Sequence, residues 1–211
     1  MWIFKGSFNV FENGFASLDA LFTLAPWIFL FLVPAITMRM FAEEIRSGTM
    51  ELLFTRPVSE WQIVMAKFLS AWLLVIISLI PTMIYYLSVY LLGSPVGNID
   101  VGGTWGSYIG LVFLGGIYAS LGVFGSSLTE NQIVAFILTV FMAFLFYLGF
   151  DLFSTVFASG EIAHLIEKLG IAYHYLSISR GVVDSRDLVY FGAVIFIFLY
   201  STRFVLINKK W

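Results

Sequence analysis

Long stretches without charged residues are the feature that most limits how this chain can fold. Five such stretches occur, and a helix needs roughly 20 apolar residues to cross a hydrocarbon core about 30 Å thick. Nothing in them alternates in polarity like a transmembrane β-strand. The sequence therefore predicts an all-α integral membrane protein, a polytopic helical bundle with five spans at approximately 20–40, 67–92, 104–126, 131–152 and 188–207.

Composition excludes several classes of protein. Only 11% of the residues are charged, whereas soluble domains average about 25%, so an ordinary soluble enzyme is excluded. The chain has no Cys and a net charge of −2, which argues against thiol chemistry and against a nucleic-acid partner. It lacks a phosphate-binding loop. His164 and His174 have no neighbouring ligand cluster, so no catalytic residue or metal site is predicted, and both histidines are expected at the membrane interface.

The distribution of Lys and Arg predicts the orientation of the spans. Seven of these residues fall on the side that holds the 41–66 connection and the C-terminus, and four fall on the other side. The positive-inside rule then places the C-terminus in the cytoplasm. Residues 1–19 do not resemble a signal peptide, so we expect a further membrane helix ahead of the first span. The alternative is a five-span protein with a short translocated N-terminal tail.

The connection between the first two spans, residues 41–66, is far longer than a turn requires. Its segment 43–54 is amphipathic and is interrupted by Gly48, which predicts two short helical pieces that meet at 47–49. Such an element is suited to docking a partner. The alternative, a solvated turn, leaves the length of the connection unexplained. Ser59 and Gln62 form a predicted capping box at the start of the next helix.

Two further patterns concern the third span. The turn that follows it repeats the capping pattern, with Thr129 as the predicted N-cap and Gln132 closing the box. Small residues recur at a spacing of four along the span, with Gly106 and Gly115 among them. Such spacing allows close helix packing in lipid, either within the chain or between subunits.

The opposite side of the membrane carries the longest predicted extramembrane segment, residues 154–187. Ser159 is the predicted N-cap of an amphipathic helix that Gly170 ends, and this helix is expected to lie in the outer interface of the membrane. Asp184 is the predicted cap of the last span. Asp151 is the ionisable residue closest to the interior of a span, and it is either a helix-end residue or part of a gate.

The 41–66 connection also resembles a known signature. The run 41–59 contains an acidic pair, a basic residue, Gly-Thr, Glu-Leu-Leu and Pro, and Lys67 follows at the next span; this pattern resembles that of ABC-2 type transporter permeases. Further segments resemble the gliding-motility-associated permease subunits of this family, namely 24–27, 34–39, 95–100, 127–132 and 177–191. Because such permeases have six spans, the resemblance likewise implies that a first helix is missing here.

The resemblance implies a coupling helix, the cytoplasmic element through which a separate ABC ATPase moves the spans. The residues that correspond to it are Glu43, Glu44, Arg46, Gly48, Thr49, Glu51, Leu52, Leu53 and Arg56. A second, smaller cytoplasmic contact corresponds to Thr129, Glu130 and Gln132. The 154–187 segment resembles the extracytoplasmic re-entrant helices that close the outer gate. The candidate gate residues are Asp151, Arg180 and Asp184.

These expectations describe a non-catalytic permease subunit of a bacterial exporter in the inner (cytoplasmic) membrane, associated with gliding motility. It is expected to work as a dimer or with a second permease subunit, in contact with membrane lipid. It would bind no cofactor itself, since ATP and Mg²⁺ belong to the partner ATPase. Lipid, polysaccharide and protein stay open as substrates. Two alternatives are an ATP-independent secondary carrier or channel, which would need intramembrane charges, and a structural anchor of a motility or secretion machine.

Overall fold

The computed structural model describes residues 17–55, 57–156 and 160–209, and within those ranges it is helical with no strand. A 3₁₀ turn at Ile80–Thr82, where Pro81 interrupts the second span, and a π-helical turn at Leu145–Gly149 link consecutive helices. The α-helices are α1 Asp19–Thr37, α2 Ala42–Arg46, α3 Met50–Phe54, α4 Glu60–Leu79, α5 Met83–Leu92, α6 Val101–Leu128, α7 Gln132–Phe144, α8 Phe150–Val156, α9 Gly160–Glu167, α10 Ile171–Ser179 and α11 Ser185–Asn208.

Five helical stretches are long and apolar enough to cross a membrane, which confirms the predicted class of fold. They are Asp19–Arg46, Glu60–Leu92, Val101–Leu128, Gln132–Val156 and Ser185–Asn208. The second of these stretches begins at Glu60, the first residue of α4. It begins there because Ser59 and Gln62 form the predicted capping box, with both reciprocal hydrogen bonds present. The fourth stretch was expected to end near Asp151. It continues to Val156: the π-helical turn at Leu145–Gly149 leads directly into α8, which includes Asp151 in its first turn.

Helix α6 is the centre of the bundle. It packs against α1, α4, α7, α10 and α11, and most of its residues are buried, among them Leu111, Leu114 and Tyr118. Its glycines explain the close approach of its neighbours. A Cβ atom at Gly115 would lie 2.5 Å from Cγ1 of Val75 on α4, and one at Gly106 would overlap the carbonyl oxygen of Ile178 on α10. These predicted small-residue contacts therefore lie within the chain.

The helices leave two ends to the bundle. The loop end holds the connection between α1 and α4, the turn between α6 and α7, and the end of α11. The far end holds the 93–100 turn together with α9 and α10. The loop end and the far end lie at opposite termini of the five long helices.

The far end holds two short helices; the resemblance implied more than one, and the sequence pattern located one of them. The expected helix 160–169 appears as α9, Gly160–Glu167, and its predicted cap Ser159 lies outside the described residues. Gly170 does follow α9, but it also occupies the N-cap position of α10, which packs against α6. The apolar residues Ile162 and Leu165 of α9 are exposed. The placement of α9 in the outer interface of the membrane stays a prediction.

Candidate coupling surface and far-end cavity

The connection at the loop end folds as two short helices, as predicted. Helices α2 and α3 are joined at 47–49, where Gly48 has a φ of +71°, a backbone conformation that favours glycine. Ile45 and Leu53 pack against the hydrophobic core, whereas Leu52 is 66% exposed. The hairpin of α2 and α3 therefore packs on the bundle through Ile45 and Leu53 and presents the apolar side chain of Leu52 to the solvent.

Ser126, near the end of α6, holds the start of α2. Its hydroxyl oxygen accepts hydrogen bonds from the backbone N–H groups of Phe41 (2.9 Å) and Ala42 (3.0 Å), and the hydroxyl donates to the carbonyl of Met38 (3.0 Å). A serine hydroxyl offers one donor and two acceptor sites, so all of its capacity is used here. Nothing in the local sequence indicates this contact, because the partners lie more than 80 residues apart.

The acidic pair of α2 turns towards the bundle. A carboxylate oxygen of Glu44 lies 2.6 Å from the ammonium of Lys67 on α4. That ammonium also donates to the carbonyl of Met40 and lies 4.7 Å from the centre of the Phe41 ring. Glu43 accepts a hydrogen bond from the side-chain amide of Gln132, at the start of α7. Both acidic residues therefore bind long helices of the bundle; Glu44 is partly buried, whereas Glu43 remains exposed.

Other residues predicted to couple are exposed on the same hairpin. They are Arg46, Thr49 and Glu51. Arg56 lies outside the described residues. The structure therefore divides the predicted set into exposed residues of the hairpin, with Leu52 among them, and residues that contact the long helices or the core, namely Glu43, Glu44 and Leu53.

The predicted capping box at the turn between α6 and α7 is wrong. Asn131 is the N-cap, and its side-chain oxygen accepts from the N–H of Ile133 at 3.0 Å, while Thr129 accepts from the N–H of Asn131 at 3.1 Å. Asn caps helices at least as well as Thr does and here it directly precedes the helix. Gln132 is consequently free to bind Glu43, so the two predicted cytoplasmic contacts adjoin each other.

Lys209, just after α11, ties the end of the last long helix to the same turn. Its ammonium donates to the carbonyl of Ser127 at 2.8 Å. Burial lowers the pKa of Lys209, and the nearby carboxylate of Glu130 opposes that shift. Glu130 itself is exposed. The hydrogen bond of Lys209 therefore joins the end of α11 to the last turn of α6.

A cavity of about 460 Å³ opens at the far end, between α1, α6, the α7–α8 stretch and α10. Asp151 lines it, as do two carboxylates from other elements, Asp19 and Glu167. The other two candidate gate residues do not line it. Arg180 is exposed after α10, and Asp184 accepts from the N–H of Arg186 at 2.9 Å as the predicted cap of α11. A gating role stays a prediction for all three.

Helix α10 is fastened to α11 by His174. Its Nδ1 lies 2.6 Å from a carboxylate oxygen of Asp187, its Nε2 lies 2.9 Å from the carbonyl oxygen of Lys168, and its ring stacks on Tyr190 at 3.8 Å. His174 is buried within the protein, and two hydrogen bonds compensate for its burial. Its place at the membrane interface stays a prediction. Within the described ranges no three His, Cys, Asp or Glu side chains are grouped to hold a metal ion.

Tyr175 fixes the wall of the cavity from α10. Its phenol donates to the carbonyl of Phe22 on α1 at 2.8 Å. Burial raises the pKa of the Tyr175 phenol, so this donor keeps its proton throughout the physiological range. Helices α1 and α10 are therefore joined at the cavity by a hydrogen bond whose donor stays protonated at physiological pH.

The comparisons with known proteins agree with this architecture. Residues 6–178 match the family described as ABC-2 family transporter protein, and the match spans more than half of the chain. No curated protein matches the chain. With its several apolar helices of membrane-spanning length, the chain belongs to the ABC-2 transporter family and is a multi-pass membrane permease.

Proposed function

We propose that this chain is the membrane subunit of an ABC-2 exporter and that a separate ABC ATPase docks on the hairpin of α2 and α3. ATP and Mg²⁺ would be held by that ATPase, and this chain would not be catalytic. The observation that carries the proposal is the division of the hairpin. Leu52 is exposed on α3, while α2 is bound to three of the five long helices.

Leu52 is suited to anchor the ATPase. Burying a leucine side chain that was exposed is worth about 1.5–3 kcal/mol, and interfaces concentrate their energy in a few such anchors. Arg46 and Glu51 are exposed on the same hairpin and have opposite charges. Charges at the rim of an interface select the partner and its orientation more than they add affinity.

The inward contacts supply a route for movement. A displacement of α2 reaches α4 through Glu44 and Lys67, α6 through Ser126, and α7 through Glu43 and Gln132. Rigid-body movement of packed helices is a common form of two-state change. Closure of two ATPases on ATP would therefore shift several long helices together instead of bending one of them.

The proposal places the protein in the bacterial inner membrane with the loop end and the C-terminus in the cytoplasm, where ATP is available. The positive-inside bias supports this orientation. The chain has no Cys, so single substitutions can be labelled without background. Ser47→Cys at the loop end should react only with reagents that reach the cytoplasm, and Val182→Cys at the far end should react from outside. The reverse pattern would overturn the docking proposal.

We further propose, from the resemblance of the segments quoted above, that the exporter serves gliding motility, either as a dimer of this chain or with a second permease. A chromosomal Leu52→Asp substitution in the source bacterium should then abolish gliding without removing the protein from the membrane. Normal gliding with an ATPase partner that cannot hydrolyse ATP would instead favour a structural anchor.

The central experiment measures the affinity of the purified ATPase for the chain held in a lipid nanodisc. Leu52→Asp should weaken binding by roughly 10- to 100-fold, because the anchor is lost and a carboxylate must be desolvated. Leu53 is unsuitable for this test because it packs on the core. The matched control is Asn208→Asp, which adds the same charge at an exposed position of the loop end. Equal affinities for the two variants would refute the docking assignment.

A further inference from the structure

We infer that the far-end cavity is a binding site for an ammonium group, carried either by a soluble amine or by a lipid headgroup. Three carboxylates line the cavity, from Asp19, Asp151 and Glu167, together with several aromatic rings. No Lys or Arg lines it within the described part of the chain. A concave site with aromatic walls and an excess of negative charge is the arrangement that recognises organic cations.

The carboxylates are not neutralised by the protein. Among the described residues, the side chains of Asp19 and Asp151 form no ion pair, and Glu167 faces only His164, at 3.5 Å. Asp19 and Asp151 are exposed, so their carboxylates are accessible to a ligand that enters the cavity. Clefts lined by one sign of charge concentrate ligands of the opposite sign. The cavity therefore attracts cations and repels phosphates, carboxylates and acidic polysaccharides.

Aromatic side chains form the deeper walls. The rings of Trp27 and Tyr147 meet edge to face, with their centres 6.2 Å apart, and Tyr175 is held beside them by its hydrogen bond to α1. A cation close to such rings gains stabilisation that grows as water is excluded. Tyr147 and Tyr175 are buried, whereas Trp27 is partly exposed. The two tyrosines therefore form the part of the wall that is shielded from solvent, and Trp27 forms the more open part.

An unpartnered polar group lies behind this wall. The hydroxyl of Tyr118 is buried and has no hydrogen-bond partner among the described residues. Its ring packs edge to face on that of Tyr147, with centres 6.4 Å apart. Buried hydroxyl groups without partners are rare in folded proteins and call for a specific explanation. Tyr118 does not itself line the cavity, so a ligand would reach this acceptor only if the ring of Tyr147 moved.

The size and place of the cavity narrow the substrate class. A volume of about 460 Å³ lies in the range of small-molecule sites, so it fits a headgroup or a small amine but not a folded protein. As a transport site it rests on the proposed export function, since the far end is then the side of release. Binding itself does not depend on the ATPase, so it can be tested on this chain alone.

The test compares two ligands of the same shape. Choline carries a quaternary ammonium, and 3,3-dimethylbutan-1-ol replaces its nitrogen by carbon and has no charge. Their affinities are measured by calorimetry on the full chain in nanodiscs of phosphatidylglycerol. Choline should bind, and the neutral alcohol should bind at least roughly tenfold more weakly. Equal binding of the two, no binding of choline, or preference for a neutral oligosaccharide such as maltotriose would overturn the proposal.

Variants locate the binding. Asp151→Asn and Trp27→Leu should each weaken choline binding by roughly tenfold. Glu161→Gln removes a charge from an exposed position of α9 outside the cavity, and it should change binding less than twofold. Asp19→Asn repeats the test on a different helix, which guards against a folding defect in one variant. Choline binding that is equal in all four variants would overturn the placement.

Two further measurements distinguish a lipid headgroup from a soluble amine as the ligand, and the cation site from the proposed docking of the ATPase. If adding phosphatidylethanolamine to the nanodisc weakens choline binding, the ammonium comes from a lipid headgroup; if it has no effect, the natural ligand is a soluble amine. Choline binding that survives in Leu52→Asp, together with lost ATPase binding, would separate the two sites. Choline binding with no ATPase docking in the wild type would retain the cation site and refute the export function.

Discussion

Replacing Ser126 by Ala is the most direct test of how the hairpin of α2 and α3 is joined to the bundle. The substitution removes one hydroxyl that serves two backbone N–H groups and one carbonyl. Phe41 and Ala42 are fully buried, so solvent cannot replace the lost acceptor without movement. A buried group left without a partner costs about 1–3 kcal/mol. Two N–H groups are affected and the chain can relax in part, so we expect Ser126→Ala to lower the free energy of unfolding by about 2–3 kcal/mol.

The control for this test lies on the same helix. Ser120 is also fully buried, but its hydroxyl donates only to the carbonyl of Ile117 within α6. Ser120→Ala removes a hydroxyl of the same kind without releasing any part of the 41–66 connection. In detergent, Ser126→Ala should lower the melting temperature by roughly 5–10 °C, and Ser120→Ala should lower it by far less.

A second readout distinguishes coupling from stability alone. In proteoliposomes that contain the ATPase partner, Ser126→Ala should raise the ATP hydrolysed per molecule transported, because α2 can move without moving α6. Ser120→Ala should leave that ratio unchanged. If the two variants have melting temperatures within about a degree and hydrolyse the same amount of ATP per molecule transported, Ser126 does not link the movement of α2 to α6.

Three other substitutions test separate contacts. Gly48→Ala should destabilise the hairpin by about 1–2 kcal/mol, since φ is +71° there although no atom lies near enough to clash; the exchange of amide hydrogens in α2 and α3 would report it. Lys67→Met leaves the carboxylate of Glu44 without its partner and should lower the melting temperature, and adding Glu44→Gln should restore much of the loss. Gly115→Leu forces a side chain into Val75 of α4 and should reduce the yield of folded protein in the membrane, whereas the same change at Gly160, where no atom lies within 4 Å, should be tolerated.

Local chemistry explains what the sequence predicted correctly. The spans follow from uncharged apolar stretches, the start of α4 from Ser59 and Gln62, and the break between α2 and α3 from Gly48. Each of these signals involves neighbours in the chain, so no knowledge of the packed bundle is needed. The class of fold and the two-piece form of the hairpin could therefore be derived before the structure.

Contacts between distant residues could not be derived in the same way. Ser126 and Phe41 are 85 residues apart, and His174 and Asp187 meet only because α10 folds back against α11. The cap at Asn131 shows a different limit, because two capping residues compete within three positions and the sequence pattern favoured the wrong one. The far-end cavity likewise assembles carboxylates from three separate elements, which individually look like ordinary helix-end residues.

The central position of α6 has a consequence for biogenesis. The two long helices that precede it along the chain contact each other at few positions, and both find their main partner in α6. During synthesis these two helices therefore stay only loosely associated in the lipid until the glycine-bearing surface of α6 is inserted. A pause of the ribosome in that interval would leave unsatisfied helix surfaces open to membrane proteases, so codon choice around residues 101–128 should affect the amount of mature protein.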